Sequence, residues 1–138
     1  MQTFLPYPSF VQSAKCLDYR RLGKQRVEAM QIIDALEGRK SGWAKHPAVL
    51  MWKGYESALK LYFNCISEEW VSRGYRHNMG FFDLSGTAYT PPPWLGNDTF
   101  HRSHQSNLVR KFPEHYAPLF PGVPDDLEYV WPTKQQSF

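Results

Sequence analysis

Residues 18–36 constrain this chain more than any other stretch. Leu22, Ala29, Met30, Ile33 and Leu36 recur at helical spacing and make an apolar stripe. Asp18, Arg21, Gln25 and Glu28 fall on a second stripe, at i, i+3, i+7 and i+10. Only a helix gives one side of this segment to a core and the other to charge. Ser13 or Asp18 is its expected N-cap, Leu36 or Glu37 its end and Gly38 its stop. At about 1.5 Å per residue it is about 30 Å long. Gly23 lies inside it, and interior glycine costs roughly 1 kcal/mol against alanine, which points to a close backbone approach. The plain reading of the polar stripe is a solvated face with i,i+4 ion pairs. The sharper one is a helix that lays cations against phosphate and aims a carboxylate at a reacting centre.

The charge distribution favours an anionic partner. Formal net charge is only +3 over 138 residues. Lys15, Arg20, Arg21, Lys24 and Arg26, however, crowd one short segment against a single acid, Asp18. Glu114, Asp125, Asp126 and Glu128 gather in a later segment that has no Lys or Arg. A basic pole and an acidic pole on one small domain suit a polyanion bound on one face.

The length fits one domain spanning 1–138, enough for a single core. No apolar run approaches the roughly 20 residues of a membrane span. The opening residues Met1 to Pro6 carry no basic segment followed by an apolar one, so no signal peptide is expected. Cys16 and Cys65 each sit in a helical pattern, which predicts buried free thiols in a reducing, cytoplasmic setting.

Around the charged helix the pattern is mainly α. Residues 1–14, with Pro6 and Pro8, read as an extended or turn-rich arm packed on the body. Residues 38–46 form a basic loop that includes His46, and Pro47 opens a second helix at a first-turn position. Val49, Leu50, Trp52, Tyr55, Leu59, Tyr62, Ile66 and Trp70 give that helix its apolar stripe, and Gly74 ends it. Glu56 beside Trp52 is a polar group in need of a partner. A long loop-rich segment covers 75–99, of the kind that carries function or serves as a lid. A third helix runs from Thr99 or Phe100 to Lys111, capped by Asp98 or Thr99. Beyond it Pro113, Pro118, Pro121, Pro124 and Pro132 cut an aromatic-rich tail into short turns. No strand alternation and no internal repeat is present.

Five histidines do not make a metal motif, so no metal and no cofactor is expected. His101 and His104, beside Arg102, Asn107, Arg110 and Lys111, read as a polar face touching phosphate, or else as hydrogen-bonded structural residues. Trp94 either stacks on a base or plugs the core. No phosphate loop and no nucleophile elbow occurs. What remains is an amine and a carboxylate on or near one helix.

The run Leu17-Asp18, then Arg21-Leu22-Gly23-Lys24-Gln25-Arg26-Val27-Glu28, together with Gly42-Trp43, His46-Pro47 and Trp94-Leu95-Gly96, resembles the pyrimidine-dimer DNA glycosylases of the endonuclease V type. The chain looks like a divergent bacterial branch of that family. Its strongest local anchor is the end of the second helix, Glu69 to Arg73-Gly74-Tyr75. The resemblance implies a small all-helical enzyme that bends double-stranded DNA, flips a nucleotide and attacks the sugar C1′ with an amine. It also implies an imine intermediate and strand nicking by elimination. The family uses the α-amine of a small residue exposed by methionine removal. Gln2 is bulky and hinders that trimming, so Met1 is the expected amine. An α-amine is by nature less basic than a lysine amine, about 8 against about 10.4, which ranks Met1 ahead of Lys24. Stripe geometry selects Glu28 as the catalytic carboxylate, with Asp18 in reserve. The DNA-contacting set is then Arg20, Arg21, Gln25, Arg26, His46, Trp94, His101, His104, Arg110 and Lys111 on a monomer. Two other readings stay open: a non-catalytic nucleic-acid-binding module, and a hydrolase of free nucleosides or nucleotides.

Overall fold

The computed structural model describes residues 1–39, 42 and 44–133; Trp43 of the basic loop lies outside them. The described residues are helical with no strand. The helices are α1 (Phe10–Cys16), α2 (Tyr19–Leu36), α3 (Pro47–Leu50), α4 (Glu56–Ser72), α5 (Asp98–Lys111) and α6 (Pro113–Tyr116).

The charged helix forms as expected, with Asp18 as its cap: the carboxylate accepts the Arg21 N–H. Gly23 is explained by α4. A Cβ there would stand 2.8 Å from the Trp70 ring, so the missing side chain lets the indole lie flat on α2. Leu22, Ala29, Ile32 and Ile33 face inward and join α4's Leu59, Tyr62, Phe63 and Ile66 in one core.

Three boundaries differ from the sequence pattern. The arm is not irregular to residue 14. Ser9 accepts the Gln12 N–H and starts α1, whose Phe10 and Ala14 are buried and which packs on α4. The second helix is broken after Leu50. The stripe runs through the break because Trp52 stays buried, but Gly54 takes a left-handed φ of 89° and turns the chain before α4 begins. Glu56 opens α4 half-buried, as its place beside Trp52 suggests, and finds its partner in the Gly54 N–H at 2.6 Å. The third helix starts one residue early because Asn97, not Asp98 or Thr99, accepts the Phe100 N–H. After it, the first proline-bounded segment closes into a helical turn, α6, that plants Tyr116 in the core. Cys16 and Cys65 are both free, and burial pushes their thiols up to about 12 and about 11.

Candidate active site

The arm Gln2–Pro6 is held as a strand is held, though every partner is a side chain. Gln25 accepts the Phe4 N–H at 2.7 Å and donates to the Gln2 carbonyl at 2.7 Å. His104 Nδ1 accepts the Leu5 N–H at 3.0 Å. His101 accepts the Gly96 N–H on Nε2, so its proton sits on Nδ1 and is donated to the Leu5 carbonyl at 2.8 Å. The Tyr62 hydroxyl donates to the Phe4 carbonyl at 2.6 Å, and the Trp52 indole donates to Thr3 Oγ1 at 3.0 Å. Gln105 holds the Pro6 carbonyl. A backbone with its donors and acceptors so occupied has one conformation.

That fixation delivers the first residue to α2. The Gln2 N–H donates to Glu28 Oε2 at 2.8 Å, and the Met1 α-nitrogen stands 3.8 Å from the same oxygen. Met1's side chain is packed away at 3% exposure, so the thioether anchors and the amine faces out. Lys24, one turn back, reaches Glu28 Oε1 at 4.0 Å from a side chain 77% exposed.

Amine and carboxylate share a pocket of about 420 Å³, within the usual size for small-ligand sites. Arg20, Arg21 and Lys24 line it from α2 and Lys111 from the end of α5; Gln2, Phe4 and Tyr129 complete the wall. Burial lowers the Lys111 pKa, and its neighbours Arg21, Arg110 and Lys24 push it further the same way. Burial raises the Tyr129 phenol to about 12, against the pull of Arg110 and the Gln2 amide. The Gln2 Nε2 nevertheless makes no hydrogen bond of normal geometry and stays a buried donor without a partner. Four cations and one carboxylate line the pocket, an arrangement whose field suits an anionic ligand.

Several expected site residues lie elsewhere. Gln25, His101 and His104 are buried and spent on the arm, so they form a clamp and not a phosphate-facing surface. Burial drives the His104 pKa down to about 3, so the ring is neutral, as its acceptor role requires. Trp94 is buried against Trp52 and Phe100, donates to the Met51 carbonyl and plugs the core, out of reach of any base. Asp18 is buried as a cap: it takes bonds from the Arg21 backbone, the Arg21 guanidinium and the Tyr116 hydroxyl. Burial alone would raise its pKa, but those bonds outweigh it and hold the carboxyl below its ordinary value. Arg26 turns from the pocket, lies 4.5 Å over the Trp70 ring and donates to His77. Arg110 donates to the Asp125 carbonyl and to Asn107, tying down the tail. His46 caps α3 by accepting the Ala48 N–H; its pKa is lowered by burial and then by the positive charge of the Met1 terminus. Gln2, Phe4 and Tyr129 were missed as pocket residues. Their types carry no signature, and Tyr129 arrives from a hundred residues away along the chain.

Fold and pocket together define a class: a small helical protein whose first amine faces a carboxylate in a cation-lined pocket. Residues 1–83 match the model of the pyrimidine dimer DNA glycosylase family, and the chain belongs to that family. The match spans the arm, α1 to α4 and the whole Met1–Glu28 pair, while Lys111 and Tyr129 lie beyond it. No curated protein and no solved structure matches the chain. The family implies a DNA glycosylase of DNA repair, and thus a DNA substrate. Among the described residues no helix is long and apolar enough to cross a membrane, and no three His, Cys, Asp or Glu side chains gather as a metal site needs.

Proposed function

We propose that this protein is a base-excision DNA glycosylase for a damaged or modified pyrimidine, and that it goes on to cleave the abasic site as a lyase. The Met1 α-amine, in its unprotonated form, attacks C1′ of the extruded nucleotide. The N–C1′ bond forms as the glycosidic bond breaks, and the base leaves with the bonding pair. The new ammonium gives a proton to Glu28, whose charge also offsets the cationic character at C1′. The nitrogen lone pair then forms the imine as the C1′–O4′ bond breaks, and O4′ keeps that bonding pair and takes up the second N–H proton, which opens the sugar. Removal of a C2′ proton then expels the 3′ phosphate, and water releases the protein. Arg20, Arg21, Lys24 and Lys111 hold the flanking phosphates, which fixes the reacting sugar.

The observation that carries this reading is the Met1 nitrogen 3.8 Å from Glu28 inside a pocket lined by cations. Met1 ranks above Lys24 because the arm fixes its position, whereas the Lys24 side chain is largely exposed and held, among the described residues, only by a 4.0 Å approach to Glu28. The test is borohydride reduction with abasic-site duplex DNA. Native protein, Lys24→Ala and Lys111→Ala are expected to give a covalent adduct, and protein acetylated at Met1 is expected to give none. Binding without any adduct would mark a non-catalytic DNA-binding module instead. An adduct that survives Met1 acetylation would overturn the choice of amine.

A further inference from the structure

The face of α2 turned away from the pocket carries a ladder of rings and guanidinium groups, anchored on the core through Trp70 and exposed at its outer end. Tyr19, at the start of α2, is 51% exposed, and Tyr75, just past the end of α4, is 40% exposed. Their rings stack with centroids 6.3 Å apart at 24°. Tyr75 stacks in turn on Trp70 at 4.2 Å and 24°. Arg20 sits at the hydroxyl edge of the outer ring, its Nε donating to the Tyr19 hydroxyl at 3.1 Å with the guanidinium carbon 5.7 Å from the ring centroid, and Arg26 supports the inner end over Trp70. The ladder is held in place. Trp70 lies on the bare backbone of Gly23 and donates its indole N–H to the Arg76 carbonyl at 2.8 Å. Exposed rings of this size are usually tucked away. Here they are aligned, cation-flanked and fixed.

We propose that the outer face of Tyr19, backed by Tyr75, forms a stacking platform for one nucleobase, unstacked from the duplex beside the sugar that occupies the pocket. Three features select a base over another occupant. Every nucleobase offers a π-face, and aromatic rings flanked by arginine take such faces without regard to sequence. Arg20 belongs both to the ladder and to the pocket wall, so the platform continues the cationic surface where a phosphate backbone would run. The two sites stand on opposite sides of α2, about one helix width apart (~10 Å), which lets one strand lie across the exposed Arg20–Lys24 crest and engage both. The inference rests on the reading of the pocket as a DNA site and adds a second point of contact to it.

The experiment uses the full chain and a labelled duplex with a tetrahydrofuran abasic analogue. That analogue has no aldehyde and forms no imine, so binding is read apart from the amine chemistry. Anisotropy titrations over a range of salt are run with Tyr19→Leu, Tyr75→Leu and Tyr19→Phe. The leucine variants are expected to bind about tenfold more weakly with an unchanged salt slope, and Tyr19→Phe to bind as the native protein does. A 2-aminopurine beside the analogue should be quenched by native protein and brighter with Tyr19→Leu. Native-like binding by both leucine variants overturns the platform. So does a salt slope reduced by about 1, which marks a lost phosphate contact, or an equal loss in Tyr19→Phe, which marks a hydroxyl contact. Failure of native protein to retain the duplex overturns the platform and the DNA reading of the pocket together. A platform effect with no borohydride adduct leaves the platform standing and removes only the amine.

Discussion

Two helices carry similar polar composition and put it to opposite use. The start of α2 turns Arg20, Arg21, Lys24 and Glu28 outward around a pocket. The first turns of α5 bury His101, Ser103, His104, Ser106 and Asn107. Each of these buried groups on α5 is spent on backbone: His101 and His104 on Leu5, Ser103 on Phe100 and Val130, Ser106 on Leu127, Asn107 on Ser103 and Leu127. The difference teaches that a polar cluster with every member satisfied by main chain is a clamp, whereas one that converges on open space is a site. The two are coupled. The clamp on the arm is what sets the Met1 nitrogen beside Glu28.

Substitutions should separate the two regions, and the largest effect belongs to the outward one. Glu28→Gln keeps an acceptor for the Gln2 N–H but removes the proton acceptor. Base release in single turnovers is expected to fall about 10²- to 10⁴-fold with stability unchanged. Full base release would erase the contrast, because Glu28 would then be another structural anchor. On the inward side, His104→Ala leaves the Leu5 N–H unpaired and opens a cavity beside Phe100. A loss of about 3 kcal/mol is expected from denaturant midpoints.

The clamp also has a pH signature. His104 binds a proton less readily folded than unfolded, so the unfolded chain is the better proton acceptor between about 6.5 and about 3. Stability is therefore expected to fall as pH drops from about 6.5, by at most about 1.4 kcal/mol per unit from this group, and His104→Gln should flatten that slope. Asp18 adds to the same trend. Its folded pKa is depressed, so its contribution is present above its unfolded value and lost as pH falls through the folded one.

Smaller effects sharpen the comparison. Asp18→Ala removes the cap of α2 and the acceptor for the Tyr116 hydroxyl, and about 2 kcal/mol of stability should go with it. Arg20→Gln, on the open side of the same helix, is expected to change stability by less than about 0.5 kcal/mol. It should still lower the slope of DNA affinity against salt by about 1 if Arg20 holds a phosphate. A large stability loss there would put Arg20 with the clamp.

Much of the frame was legible in the sequence because periodicity reports burial. The extent of α2 followed from its stripe and cap, α5 was found with its end at Lys111 but a different cap, and Gly23 signalled the close approach that Trp70 makes. The break between α3 and α4 was hidden, since the apolar stripe continues through Trp52 and only the φ of Gly54 turns the chain. In the site, Met1 and Glu28 were named together from a family resemblance and a stripe. The fates of Gln25, His101 and His104 were not legible, because no local pattern says that an arm will lie across them. Arg21 and Gln25 share a stripe, yet one lines the pocket and the other is sealed beneath the arm. Tyr129 is a long-range contribution of the tail, and long-range placement leaves no trace in a window of sequence.

The central claim is that the arm positions the first amine as the attacking group. Peptide mass mapping of the borohydride-reduced adduct tests it most directly. The account expects the sugar fragment on the α-nitrogen of the peptide that begins with Met1. A sugar fragment on Lys24 or Lys111, or an unmodified Met1 peptide from a fully trapped sample, would contradict it.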